Sequence, residues 1–162
     1  MKLSSFELES AIGRVQGIAS NSGLCVLGFS NWKRVRNMAE GRFGWTRLGT
    51  IAPPPELVAY FEGDLEALAN LTVDLNGTPF QKDVWRALLT VPPGHSTTYR
   101  ELAVQVGRPR SSRALSLAVA ANPVAIVVPC HRVVRSDGGL SGYAWGVERK
   151  HWLQAHEGML VH

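Results

Sequence analysis

The stretch Val124-Ala125-Ile126-Val127-Val128 is wholly apolar and stops at Pro129. Five consecutive apolar side chains leave no polar face, so the stretch reads as a segment buried in a core. Proline fixes φ and removes a backbone donor, so strand pairing ends there. The residues that follow, Cys130-His131-Arg132-Val133, then turn from the buried segment toward a cleft. A thiol is a useful nucleophile only where a neighbour favours its thiolate, and His131 stands beside this one. Two readings of the dipeptide fit its residues alone: a nucleophile with its base, or a buried cysteine packing as a small hydrophobe.

The second half of the chain carries clear helix punctuation. Thr78-Pro79-Phe80-Gln81 combines an N-cap, a proline at the first helical position and Gln three residues on, a capping box. Phe80, Val84 and Leu88 recur at i+4, with Trp85 widening the stripe, until Pro92-Pro93-Gly94 ends the helix. Thr98 and Glu101 form a second capping box, opening a short helix through Val106 with Gly107 past its end. A third helix spans Ser111–Ala121, and the pair reads as a helix-turn-helix. A last helix, Val147–His156, turns Trp152 and Leu153 inward.

The first half is quieter. Phe6–Ala19, broken at Gly13, and Leu24–Phe29 read as strands around the turn Asn21-Ser22-Gly23. Asn31–Thr50 is rich in Arg and Gly without period and reads mostly as loop. Glu56–Glu62 is a helix that places Leu57, Tyr60 and Phe61 on one face, and Leu71–Leu75 alternates as a strand. Asn76-Gly77 is a turn and the expected boundary between domains 1–77 and 78–162.

Charge is divided along the same line. Residues 1–77 hold seven Lys and Arg against eight Asp and Glu; residues 78–162 hold ten against five, within a total of +4. A basic half beside a neutral one fits a polyanion on one face. The two cysteines, Cys25 and Cys130, are too few for a disulfide framework, and a reactive thiol suits a reducing cytosol. They also make no structural zinc site alone, since Cys25 has no His pair at ligand spacing. No apolar stretch approaches the ~20 residues of a membrane span, and Met1-Lys2-Leu3-Ser4-Ser5 lacks the apolar region of a secretory signal. The expectation is a cytoplasmic protein, associated with the nucleoid in a prokaryote, needing neither metal nor cofactor.

Taken in order, Arg113-Ala114, Asn122-Pro123, Pro129-Cys130-His131-Arg132-Val133, Gly142-Tyr143 and His156-Glu157 resemble the O6-alkylguanine-DNA alkyltransferases. These repair proteins take an alkyl group onto their own cysteine. The resemblance is dense from Thr78 to Gly158 and weak before it. It implies an α/β (α+β) fold, a small N-terminal β-sheet domain with a helix packed on a mostly helical C-terminal domain that contains the helix-turn-helix. It implies methyl transfer from O6 of guanine, with O4 of thymine left open, by a monomer acting once on double-stranded DNA.

Residue by residue, the resemblance makes Cys130 the acceptor, His131 the relay base, Glu157 the acid that orients it, and Asn122 the partner of the active-site turn. Arg113 matches the finger that fills the gap left by a flipped nucleotide. Ser111, Ser112 and Ala114 lie on the DNA-facing helix, whose small side chains suit a narrow minor groove better than base-edge reading in the major groove. Tyr99 falls near the flipped nucleotide's phosphate and purine edge, while Val133, Tyr143, Ala144 and Trp145 line the guanine site. The alternatives for Arg113 are a phosphate contact or a solvated side chain, and for Tyr99 a core tyrosine.

Three positions depart from many relatives. Ala144 replaces a small hydroxyl residue, Trp145 stands where some relatives have glycine, and Leu115-Ser116-Leu117 replaces a segment with a glycine pair. Trp145 is expected either to wall the alkyl side of the pocket or to turn outward toward DNA or Trp152. Two competing functions also remain at this level: a sensor that binds alkylguanine without repair, which in related proteins lacks the acceptor cysteine present here, and a Cys-His hydrolase.

Overall fold

The computed structural model describes residues 2–43, 48–137 and 141–159. They form two compact units, Met1–Asn76 with Pro123–Ala125, and Gly77–Asn122 with Ile126–His162. The fold is mixed α+β: the described residues form a four-stranded sheet, a two-stranded ladder and six α-helices.

In the first unit, β1 (Leu3–Ser10), β2 (Gly13–Ser20) and β3 (Gly23–Phe29) form an antiparallel meander, and β4 (Leu48–Thr50) pairs parallel to β1 in the order β3-β2-β1-β4. Leu3, Phe6, Val15, Ile18 and the run Leu24–Leu27 supply its core. The expectation of loop over 31–50 is corrected: α1 runs Trp32–Phe43, and residues 44–47 lie outside the described chain. The helix is sparse in apolar residues, and among its described side chains Val35 and Ala39, at i and i+4, are buried. Its overlooked signal is Asn31, whose side-chain oxygen accepts from the Arg34 N–H at 3.0 Å as an N-cap. Helix α2 (Pro55–Phe61) follows as expected, with Leu57 and Tyr60 buried. The strand expected over Leu71–Leu75 shrinks to one bridge, Val73 to Leu24. The apolar run 124–128 likewise forms no strand: Leu27 pairs with Val124, donating to Pro123 O and accepting from Ala125 N. The chain leaves that bridge immediately, because Ile126 takes φ +72°.

The second unit carries α3 (Pro79–Leu88), α4 (Tyr99–Gln105), α5 (Ser112–Ala120) and α6 (Val147–His156). The capping box at Thr78 is complete: Thr78 Oγ1 accepts from Gln81 N at 3.1 Å, and Gln81 Oε1 accepts from Thr78 N at 3.0 Å. At Thr98 only half of the expected box forms, with Thr98 Oγ1 accepting from Glu101 N, because Thr97 donates to the Glu101 carboxylate instead. Val84, Trp85 and Leu88 are buried, and the Trp85 indole donates to Ala118 O of α5 at 2.9 Å. Helix α4 ends at Gly107, φ +75°, where Arg108 N reaches Ala103 O in a Schellman turn that starts the link to α5. A two-residue ladder, β5 (Thr97–Thr98) parallel to β6 (Val133–Val134), fixes the start of α4 beside the segment that follows Cys130. In α6, Leu153 is buried as expected, but Trp152 is only partly covered and stacks on His156 at 4.6 Å.

Within the sheet, Gly17 of β2 lies directly opposite Phe6 of β1, and the Phe6 ring covers it. A Cβ at Gly17 would meet Phe6 Cζ at 2.1 Å, and that ring is only 2% exposed, so it has nowhere to swing. Gly17→Ala is therefore expected to lower the stability of this unit by roughly 1–3 kcal/mol through overpacking. Its denaturant midpoint checks this; an unchanged midpoint would show that the ring relocates at no cost.

Candidate active site

Cys130 reaches its position through a tight turn. Pro129 sits at φ −84°, ψ 64°, and the Cys130 N–H donates to Val128 O at 2.8 Å, an inverse γ-turn. A 3-10 turn over Cys130–Arg132 follows, closed by Arg132 N to Pro129 O at 2.9 Å. The side chain of Asn122, just past α5 and 4% exposed, clamps this turn from the other side. Its Nδ2 donates to Val128 O at 2.7 Å and to Cys130 Sγ at 3.2 Å. Both amide hydrogens are thus spent on the turn and the sulfur. Ile126, a β-branched residue with positive φ, stores strain of about 1–3 kcal/mol in the same loop.

Beneath the turn lies a charged core. Arg132 holds Glu157 as a fork, Nε to Oε1 and Nη2 to Oε2, each at 2.8 Å, and its Nη1 donates to Val91 O at 2.6 Å. His131 Nε2 donates to the same Glu157 Oε2 at 2.8 Å. Arg132 is 6% exposed, Glu157 4% and His131 not at all. Burial alone would push the Glu157 carboxyl up, but the hydrogen bonds from Arg132 and His131 outweigh it and hold it well below the usual carboxylate range. Burial lowers His131 despite Glu157, so the imidazole stays neutral. With its proton on Nε2, Nδ1 carries a lone pair and has no hydrogen-bond partner among the described residues. Burial likewise raises the Cys130 thiol, against the Asn122 hydrogen bond and the charge of Lys150.

Arg132, Lys150 and Gln154 are the members that reading the sequence for a site missed. Lys150 is 3% exposed; its ammonium donates to Ser141 Oγ and to Gly142 O, and Cys130 is the charge that opposes the downward pull of burial on it. Gln154 donates to His131 O at 3.0 Å. The signal was available: Lys150, Leu153, Gln154 and Glu157 recur at helical spacing along α6 and its C-cap, so one stripe carries three polar residues into the core.

A cleft of about 630 Å³ is lined by Tyr99, Ser112, Ser116, Arg135, Ser136, Asp137, Ser141 and Gly142. Tyr99 is half-buried, and its hydroxyl is raised by burial and then by the Cys130 sulfur, which places it within the electrostatic reach of that group. Arg135 and Asp137 pair at 2.7 Å on the rim. Val133 is buried in the β6 ladder, and Tyr143 is partly covered. Ser112, Arg113 and Ala114 are exposed on the first turn of α5, preceded by the half-covered Ser111. Ala144 is exposed, whereas Trp145 is 6% exposed, packed in the turn before α6 with its carbonyl accepting from Arg149, and is not one of the cleft-lining residues.

The model of the 6-O-methylguanine DNA methyltransferase DNA-binding domain matches residues 79–159. The chain is 46% identical over 121 residues to a methylated-DNA–protein-cysteine methyltransferase of Salmonella typhimurium, covering 73% of this chain and 71% of that one. This chain belongs to that family. A Methanosarcina barkeri protein of the same name is 51% identical over 98 residues, 60% of this chain and 61% of the relative. The crystal structure of Mycobacterium tuberculosis OGT in complex with DNA superposes with a TM-score of 0.79 at 35% identity, covering 95% of this chain and 92% of that one.

Glu157 supports both Arg132 and His131, so removing its charge leaves a buried cation without a partner. Glu157→Gln is expected to cost roughly 3–5 kcal/mol in unfolding free energy. Because the folded carboxyl titrates below its ordinary 4.5 and folded His131 below its ordinary 6.5, wild-type stability should begin to fall as pH drops under about 6.5 and steepen under about 4.5. The glutamine variant should lack the second step; urea titrations at a series of pH values check this, and an unchanged acid limb would remove Glu157 as its source.

Proposed function

We propose that this protein repairs double-stranded DNA by moving a methyl group from O6 of guanine to Sγ of Cys130, once per molecule. The observation that supports it most is a buried cysteine held by Asn122 with, next to it in the chain, a neutral His131 that Glu157 holds through Nε2 and whose Nδ1 has no hydrogen-bond partner among the described residues. In the transfer, the thiol proton passes through a water molecule to Nδ1 of His131. The sulfur attacks the methyl carbon in line; the S–C bond forms as the C–O6 bond breaks, and the electron pair stays on the guanine ring. Glu157 stabilises the resulting imidazolium, the logic of nucleophile, base and orienter. The hydroxyl of Tyr143 donates a hydrogen bond to the departing guanine, and the proton that left sulfur returns from the His131 imidazolium through water to the guanine, which leaves both side chains as they began. The products are neutral guanine and a thioether, and water cannot hydrolyse a thioether, so the protein is consumed.

A methyl group inside a stacked duplex is out of reach of a sulfur buried in protein, so the nucleotide must leave the stack. The cleft beside Tyr99 has the volume for a flipped base. Arg113, exposed on the first turn of α5, fills the gap; its planar guanidinium stacks on neighbouring bases, which a lysine ammonium does not do. The small side chains Ser112 and Ala114 let the helix approach the minor groove closely. The protein acts as a monomer, without a cofactor, in the cytoplasm of its cell with the nucleoid; no helix among the described residues is long and apolar enough to cross a membrane.

Intact-mass analysis after incubation with a duplex containing O6-methylguanine tests the assignment. The wild type should become one methyl group heavier, with the modified peptide containing Cys130, and Cys130→Ser should bind the duplex and gain no mass. A methyl group found on Cys25 in either protein would overturn it. Arg113→Ala is expected to slow repair in duplex far more than transfer from the free modified base, since only the duplex incurs unstacking, at a few kcal/mol. Equal losses on the two substrates would remove the flipping role.

A further inference from the structure

The exposed surface of α5 is made of Ser112, Arg113, Ala114, Ser116, Leu117 and Ala120. One of these is out of character. Leu117 is 66% exposed, the most exposed large apolar side chain among the described residues. It follows Arg113 by four residues, so the two share one helix face a turn apart. Its neighbour Ser116 offers little in its place, because its hydroxyl is tied back to Ser112 O at 3.0 Å. A single exposed leucine on a protein surface is ordinary. This one stands on the face that carries Arg113, and Arg100, Arg108 and Arg110 are exposed on the same two helices and their link, against the one carboxylate of Glu101. That charge complements a phosphate backbone, not a second copy of the same basic surface.

We infer that Leu117 is a second inserted side chain, an apolar wedge that enters the minor groove one turn after Arg113 and bends the duplex. The inference rests on α5 being the helix that faces DNA. The two side chains divide the work by chemistry. The guanidinium substitutes for the missing base, where stacking and hydrogen bonding are both needed. The isobutyl group has neither charge nor donor, so its favourable partners are the apolar faces of the deoxyriboses and the edge of an opened base step. Leucine is one of the residues that proteins insert into the minor groove to unstack a step and kink the helix. The serine and alanine around it keep the backbone close enough for so short a side chain to reach.

The test compares wild type, Leu117→Ala, Leu117→Ser and Arg113→Ala on one end-labelled duplex containing O6-methylguanine. Anisotropy gives affinity at several salt concentrations, energy transfer between the labels gives bend angle, and single-turnover rates are read on duplex and on free O6-methylguanine. Both Leu117 variants remove an exposed group from a helix, and their melting temperatures verify that they fold. They should bind duplex about 10-fold more weakly, equivalent to about 1.4 kcal/mol. They should bend it less, and lose several-fold more rate on duplex than on the free base. The slope of log affinity against log salt should stay at the wild-type value, because leucine neutralises no phosphate, whereas Arg113→Ala should lower it by up to about 0.9. Unchanged or tighter binding, or an unchanged bend, overturns the wedge. If Arg113→Ala impairs duplex repair while Leu117→Ala does not, only the wedge falls; if neither does, the DNA-facing reading of α5 falls with it.

Discussion

The Glu157 carboxylate is the group on which the rest of the second unit's chemistry depends. It sits in the core as an anion, which is tolerated only because Arg132 meets it with two parallel hydrogen bonds and His131 with a third. The formal charges of Glu157 and Arg132 cancel, so nothing in the cluster requires His131 to carry a proton. Burial then keeps the imidazole neutral, and the bond to Glu157 decides which nitrogen holds the single hydrogen. A glutamate paired to His131 alone would draw a second proton onto the ring and remove its capacity to accept one. Arg132 therefore joins burial in keeping His131 neutral, although it never approaches the sulfur in the contacts described. Its third bond, to Val91 O, anchors the same guanidinium to the end of the α3 region and keeps the fork from rotating.

The turn above this cluster shows how a backbone can aim one side chain. Val128 O accepts both the Cys130 N–H and the Asn122 amide, so one carbonyl fixes the γ-turn and its clamp together. Proline at 129 has the φ the turn needs and gives up no hydrogen bond by lacking an N–H. The strain at Ile126 belongs to the same economy. A β-branched residue at positive φ persists only when its surroundings over-determine it, and Ile126 is fully buried. The parallel bridge of Thr97–Thr98 with Val133–Val134 then ties the turn's exit to the N-cap of α4, the helix that opens on Tyr99.

Legibility in the sequence followed the locality of the signal. Helices α3, α4 and α6 announce themselves through caps and periodic apolar residues, and Cys130, His131 and Glu157 stand in short motifs. The failures were of one kind, features that only tertiary partners create. Helix α1 has two buried residues among the ten whose side chains are described, so its period is faint, and its Asn31 cap was the local mark. The run 124–128 reads as a strand because apolarity reports burial, not conformation; Leu27 provides a single bridge and Ile126 breaks the rest. Lys150 and Arg132 look like surface cations until the structure shows them buried on Ser141, Gly142 and Glu157.

A protein consumed by its own reaction must keep its acceptor sulfur from reacting early, and the resting geometry does so by the same terms that would otherwise look unhelpful. Burial raises the Cys130 thiol, and only 7% of the residue is exposed, so little thiolate is offered to stray electrophiles or oxidants. The groups that favour the thiolate, the Asn122 amide and the Lys150 ammonium, are present but outweighed by burial. Within the proposed transfer, the balance tips when a base fills the cleft and the proton can pass to His131 in step with attack. Selectivity for DNA then comes from where the thiol is made reactive and not from a permanently activated nucleophile. In that proposal the carboxylate that holds His131 is buried deep, while the arginines assigned to the duplex are exposed on the first turns of α4 and α5 and in their link.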